Sequence, residues 1–221
     1  MYNVAGRKFI MKRCVIVGGA GIERYDLVRK ALHKDDFFVF CDSGLKHMPG
    51  LGVKPDLIVG DFDSWEDPHM EVETIVLPAE KDDTDTFFAA KEMVKRGFDA
   101  FLLVGVIGAR LDHTLANLSI LLMLDEADKD AKAIDDYSEM EIISAEAGKP
   151  GMASIEDSFS FFSLLNITGT AEGISIRNAK YPLEDGKVDC SYQYAVSNEV
   201  LPGKIAEVSI AKGRLLLIKD Y

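Results

Sequence analysis

The chain is 221 residues long, enough for one large domain or two modest ones with a proper core, and its 48% hydrophobic and 28% charged content is that of an ordinary globular protein. With 25 basic against 37 acidic residues the formal net charge is -12, which excludes nucleic acid and anionic membranes as partners of the surface as a whole; an anionic ligand must be met locally by Arg or Lys, helix N-termini or a bound cation. Cys14, Cys41 and Cys190 form no C-x-x-C pair, which excludes a disulfide framework and a structural zinc site, and with no apolar run of spanning length and no signal-peptide core the chain reads as cytoplasmic.

Residues 14–17 are a short, mostly β-branched run that opens into Gly18-Gly19-Ala20-Gly21 and then into helical spacing at Ile22, Leu27, Val28, Ala31 and Leu32. Bare backbone after a strand lets N–H groups approach phosphate oxygens. Against the dinucleotide fingerprint Gly19 and Gly21 fit, but Arg24 takes the place of the third glycine; Asp42, ending a strand predicted over residues 37–40, stands where that fingerprint has its ribose-binding acid. A Rossmann-type dinucleotide enzyme is therefore one reading.

The most informative stretch is VKPDLIVGDFDS at residues 53–64. Leu57, Ile58 and Val59 read as a short buried strand ending on Gly60, and two carboxylates, Asp61 and Asp63, follow around Phe62. In an open α/β sheet the ligand lies outside the carboxyl ends of the strands, so these acids stand where a substrate would sit. Two carboxylates so spaced tolerate one another when a cation lies between them, and Mg²⁺ sits on one or two carboxylates plus phosphate oxygens. A turn-forming or helix-capping role is the plainer explanation for one Asp, less so for the whole Gly-Asp-Phe-Asp-Ser group.

A further strand over residues 74–77 stops at Pro78. The cluster Lys81-Asp82-Asp83-Thr84-Asp85-Thr86 then opens a helix whose predicted face is Phe87, Ala90 and Val94. Capping accounts for one or two of these polar groups, not for all of them. Residues 101–104 form another buried strand, followed by Gly105 and by Gly108-Ala109-Arg110-Leu111-Asp112-His113-Thr114 at the mouth of an apolar helix over residues 115–124. Arg110 can grip phosphate bidentately. His113 suits capping or packing as well as a site, and Asn117, on its face by i, i+4 spacing, is either an extension of that site or a satisfied polar residue.

Residues 125–136 read as a solvated loop and short strand. Beyond them come brief runs at 140–144, 159–165, 173–176, 206–210 and 215–218, separated by turns at Gly148-Lys149-Pro150-Gly151, Asp185-Gly186 and Pro202-Gly203. The expected architecture is an α/β N-terminal domain with a mostly parallel sheet over residues 12–130, followed by an all-β, sandwich-like domain over residues 136–221. Strand-end clusters at Asp61/Asp63, Asp82/Asp85 and Arg110/Asp112 would converge in one parallel sheet. Such a set serves phosphoryl-type transfer through a metal ion, whereas hydride transfer has no use for so many carboxylates.

In the order and spacing of Asp42-Ser-Gly44, Lys54-Pro-Asp-Leu-Ile-Val-Gly-Asp-Phe-Asp-Ser64, Lys81-Asp-Asp-Thr-Asp85, Gly108-Ala-Arg-Leu-Asp-His-Thr-Leu-Ala-Asn117, Tyr181-Pro-Leu and Ser197-Asn-Glu199, the chain resembles the thiamine pyrophosphokinase family. The resemblance runs from Cys14 to the C-terminus. It implies an ATP-binding catalytic domain, a thiamine-binding β-sandwich and a homodimer, and a reaction that moves pyrophosphate from ATP to the hydroxyethyl oxygen of thiamine, releasing AMP. Carried over by position, Asp61, Asp63 and Asp85 would hold Mg²⁺, and Arg110 with Asp112 would bind or orient the triphosphate. Asp42, Ser43, Asp82, His113 and Asn117 would line the nucleotide side, Asp42 serving either nucleotide or substrate. Ser197 and Asn198 would contact thiamine. Ser43, Leu45 and Ala109 depart from the family's more usual residues, and Trp65 is the chain's one tryptophan, so any aromatic platform in the sandwich would come from residues such as Tyr192 or Tyr194. A nucleotide or thiamine sensor without turnover would draw on the same acids.

Overall fold

Runs such as CVIV and FLLV have no polar face to give to water, so they belong in a sheet covered on both sides. The computed structural model, which describes residues 11–62, 70–78, 80, 82–108, 110–146 and 148–221, places them in such a sheet. The chain divides after Asp136 into two units. Among the described residues the first is built on six parallel strands, β1 (Arg13–Val17), β2 (Phe37–Cys41), β3 (Leu57–Gly60), β4 (Glu73–Val76), β5 (Ala100–Val104) and β6 (Asp130–Ile134), in the spatial order β4-β3-β2-β1-β5-β6. Every residue of β3 and β5 is buried, as are the last four of β1 and β2, whereas the edge strand β4 is half-exposed.

Its helices are α1 (Tyr25–Ala31), α2 (Met48–Leu51), α3 (Asp85–Lys95) and α4 (Leu111–Glu126), with a 3-10 turn at Asp42–His47. The core face of α3 is Ala89, Ala90 and Met93. Of the predicted face only Ala90 is fully buried, while Phe87 and Val94 lie at its margins, because small residues let the helix settle closely onto β1, β2 and β3. The stretch expected as a solvated loop and short strand holds the end of α4 and, as that strand, all of β6. At its close Asp136 is buried, its two carboxylate oxygens accepting the Glu23 and Arg24 N–H groups at 2.8 Å each, where the chain turns into α1. No helix among the described residues is long and apolar enough to cross a membrane.

The second unit is antiparallel. Strand β13 (Arg214–Asp220) lies between β7 (Ser138–Ser144) and β9 (Phe161–Leu165), and a four-stranded sheet follows the order β11 (Leu183–Asp189), β10 (Thr170–Arg177), β12 (Ile205–Ile210), β8 (Gly151–Glu156). Alternate residues turn inward, Ala206, Val208 and Ile210 from β12 meeting Leu215 and Leu217 from β13 and Phe162 and Leu164 from β9 in one core. This is the expected β-sandwich domain. The two strands that sequence reasoning passed over, β8 and β11, are the edges of the four-stranded sheet, where polar residues are tolerated on an open side. Asp185-Gly186, expected as a turn, lies inside β11 instead: the register with β10 shifts around Ile174, and Asp185 adopts a left-handed φ of 50°. That is a β-bulge, which uses the same residue types as a turn.

Candidate active site

The strand order reverses between β1 and β5, and there the two strand ends come together. Val17 pairs with Val104, and the next residues on each strand are glycines. Gly18 N–H donates to Val104 O and Ala20 N–H to Gly105 O, both at 2.8 Å. A Cβ on Gly18 would lie 2.6 Å from Gly105 O, and one on Gly105 would lie 2.6 Å from Gly18 O, with φ of +62° at Gly105. Only bare backbone fits at this crossing. It opens a crevice of about 700 Å³ at the carboxyl ends of the strands, where ligands of such sheets bind.

Asp42, Ser43, Asp61, Asp82, Asp85, Arg110, His113 and Asn117 all line this crevice, as do Gly18 to Gly21, Thr84, Thr86 and Thr114. Asp42 follows β2 directly and Asp61 follows β3. A Cβ on Gly60 would come within 3.3 Å of Asp42 Cα, so the two strand ends lie side by side. The backbone is left-handed at Asp42 (φ 43°) and at Phe62 (φ 55°). For Phe this is a costly conformation, and such outliers cluster at functional sites. Asp85 opens α3 behind Thr84, whose Oγ1 accepts the Phe87 N–H at 3.2 Å. Burial, then Asp85, Cys14 and Asp42 in turn, push the Cys41 thiol well above its ordinary range, so Asp42 and Asp85 both bring their charge to the end of β2.

Asp63 lies outside the described residues. Among the described ones, no three acidic, His or Cys side chains form a group able to hold a metal ion alone. Asp61 and Asp85 are nonetheless hard oxygen donors facing one crevice, and Mg²⁺ asks for one or two carboxylates, waters and phosphate oxygens rather than a closed protein cage. The donor set fits that ion better than zinc or calcium.

Arg110 caps α4 and is gripped by Asp112, Nε to Oδ1 at 3.0 Å and Nη2 to Oδ2 at 2.6 Å. The Arg110 guanidinium holds the Asp112 carboxyl well below the usual carboxylate range. Asp112 itself does not line the crevice; its contact is with Arg110. Asn117 is buried with both ends of its amide engaged: Oδ1 accepts from Thr86 Oγ1 and Nδ2 donates to Val106 O, each at 2.7 Å. It ties the start of α3 to α4 and to the loop after β5. Sequence reasoning singled out neither Thr86 nor Gly105 as a site residue; a glycine directly after each of two buried strands was the available signal.

Ser197 and Asn198 belong to the second unit. Asn198 is buried, its Oδ1 accepting Tyr181 N–H at 3.0 Å and Glu199 N–H at 2.9 Å while Nδ2 donates to Tyr181 O at 2.8 Å. That side chain clamps two loops together. Ser197 beside it is exposed and left-handed (φ 56°), its N–H donating to Ser163 Oγ at 3.0 Å. Tyr181, Tyr192 and Tyr194 are exposed aromatic surfaces of this unit.

Residues 28–134 match the family described as thiamin pyrophosphokinase, catalytic domain, and residues 153–215 match the thiamin pyrophosphokinase vitamin B1 binding domain, together more than three-quarters of the chain. The sequence is 26% identical over 191 residues to thiamine pyrophosphokinase of Bacillus subtilis (strain 168), covering 83% of this chain and 86% of that protein. Its fold is similar to the crystal structure of the Bacillus subtilis enzyme, with a TM-score of 0.80 at 22% identity over 95% of this chain and 99% of that one. A thiamin pyrophosphokinase family protein from Enterococcus faecalis gives a TM-score of 0.75 at 26% identity over 95% and 99%. The chain therefore belongs to the thiamin pyrophosphokinase family, with its catalytic domain, its vitamin B1 binding domain and its activity.

Proposed function

We propose that pyrophosphoryl transfer takes place in the crevice at the β1/β5 reversal. The thiamine hydroxyl oxygen attacks the β-phosphorus of ATP, the bond from that phosphorus to the oxygen bridging to the α-phosphate breaks, AMP departs with that oxygen, and the hydroxyl proton is lost. The observation that supports this most is the convergence of Asp42, Asp61, Asp85 and Arg110, from four separate parts of the chain, on one crevice. Residues 12–130 are the ATP-binding catalytic domain in this reading, and residues 136–221 the thiamine-binding domain.

Asp61 and Asp85, with Asp63, are assigned to Mg²⁺, which when bound supplies charge neutralisation on the phosphates. Arg110 lies at the lip of the crevice and grips the triphosphate; Asp112, its basicity depressed, orients Arg110 rather than taking a proton. Asn117 acts through Thr86, Asp42, Ser43, Asp82 and His113 line the nucleotide side, and Asn198 holds Ser197 out toward thiamine. The same reading carries a homodimer, to which the exposed Leu111 and Leu115 of α4 would contribute apolar surface, and a cytoplasmic setting, consistent with three free thiols.

Incubation of the protein with Mg²⁺, ATP and thiamine is expected to yield AMP and thiamine diphosphate in equal amounts. ADP in place of AMP, or no product, would overturn the assignment. Arg110→Ala is expected to raise KM for ATP roughly ten- to a hundredfold, with Arg110→Lys intermediate, since a point charge replaces a bidentate fork; steady-state kinetics at saturating thiamine measures this.

A further inference from the structure

Behind the glycine turn sits a residue that neither the motifs nor the crevice lining brings forward. His47 closes the 3-10 turn Asp42–His47 and is only 2% exposed. Its Nε2 lies 2.7 Å from Ala20 O, and its Nδ1 lies 2.8 Å from Tyr25 Oη. A carbonyl can only accept, so Nε2 carries the proton; in the neutral ring, which burial favours here, Nδ1 accepts from the Tyr25 hydroxyl. Lys46, the preceding residue, donates from Nζ to Gly19 O.

These bonds matter because of peptide geometry. In a trans peptide the C=O and the N–H point to opposite sides of the chain. The Gly19–Ala20 peptide is held at both ends, by Lys46 on its oxygen and by Gly105 O on its N–H. The Ala20–Gly21 peptide has His47 on its oxygen, which turns the Gly21 N–H the opposite way. Gly21 lines the crevice, and a Cβ on it would meet no atom within 4 Å. A Cβ on Gly108, another lining residue, would lie 2.9 Å from Ala20 Cβ and 3.8 Å from Gly21 N, so the Gly108 backbone packs directly beside the turn. Glycine gives the turn no steric preference of its own, so an unanchored peptide there could rotate and present its carbonyl oxygen to an anion.

We infer that His47 is a positioning residue of the phosphate site: by holding Ala20 C=O it directs the Gly21 N–H into the crevice as a donor to a phosphate oxygen of ATP, and Tyr25 fixes the imidazole that does so. The inference rests on the proposed binding of ATP in this crevice. His47 touches no substrate and acts only through the backbone of the turn.

Three variants test it, with calorimetric binding of a non-hydrolysable ATP analogue and KM for each substrate as readouts. His47→Leu, which keeps the volume but loses the donor, is expected to weaken analogue binding and raise KM for ATP about tenfold, the size of a lost hydrogen bond to a charged ligand, with KM for thiamine changed less than about twofold. His47→Gln, whose amide nitrogen can reach the same carbonyl, is expected to recover most of that loss. Tyr25→Phe is expected to cost about two- to threefold in the same direction. Wild-type analogue affinity in His47→Leu, equal losses for both substrates, or no recovery in His47→Gln overturns the inference. Should His47→Leu not fold, Tyr25→Phe decides: a loss confined to the nucleotide supports the inference and no loss overturns it. A wild-type protein that neither binds the analogue nor makes AMP overturns the proposed function; an active wild type with unaltered variants overturns only the role of His47.

Discussion

Asp61→Asn is expected to lower turnover roughly 10³-fold or more while leaving the fold intact, because a neutral amide has the shape of the carboxylate without the charge that holds a hard cation and its phosphates. Asp85→Asn should fall in the same class. Asp61 is only half-buried and stands at the end of β3, past the last residue that the sheet needs for its core. Acids gathered in one crevice also repel one another when no cation is bound, so the thermal midpoint of the metal-free variant should equal or exceed that of the wild type. Rate of AMP release at saturating ATP and thiamine, together with a melting curve followed by circular dichroism, separates the two effects. Undiminished turnover in both variants would remove these carboxylates from the metal site. A loss of turnover that tracks a loss of folded protein would make them structural instead.

The largest effect on stability is expected at Gly105. Gly105→Val places a β-branched residue at φ +62° with its Cβ 2.6 Å from Gly18 O. The left-handed backbone alone costs on the order of 1–3 kcal/mol, and the close approach adds a displacement of the paired strand ends, so a loss of at least about 3 kcal/mol is expected. Gly97→Ala is the control: its φ is +81°, but nothing lies within 4 Å of the added Cβ. That substitution should cost only about 1 kcal/mol. Urea unfolding of the two variants isolates the steric part, and equal losses would mean that the crossing of Gly18 and Gly105 is less tight than its geometry indicates. Because Gly18 and Gly105 also shape the crevice, the folded fraction of Gly105→Val should bind nucleotide poorly.

The residues legible in advance share one property: their meaning is local. An apolar run covered on both faces and then an acid, or an acid ahead of a helical face, can be read within a dozen positions, which is why Asp42 and Asp61 could be placed at strand ends and Asp85 at a helix start before the strands were paired. Motif spacing likewise revealed the family, and the alternation of the second half revealed a sandwich. Where two signals share a residue type, local reading failed: Asp185-Gly186 suits a turn and a bulge equally, and only the partner strand β10 distinguishes them.

What tertiary structure alone decided is how polar side chains are spent. By its spacing Asn117 suits an extension of the site or a satisfied polar residue equally; its amide engages Thr86, 31 positions away, and Val106. Motif position leaves Asp112 either binding or orienting the triphosphate together with Arg110, and the fold sets its carboxylate on Arg110. Asp136, at the end of a stretch whose composition suits a solvated loop and short strand, is buried against backbone N–H groups 112 and 113 positions earlier. A hydrogen bond is directional and reaches only about 3 Å, so its partner depends on which chain segments the strand order β4-β3-β2-β1-β5-β6 brings side by side. Composition and periodicity state which residues are polar, and folding determines whether each of them faces a ligand or a neighbouring carbonyl.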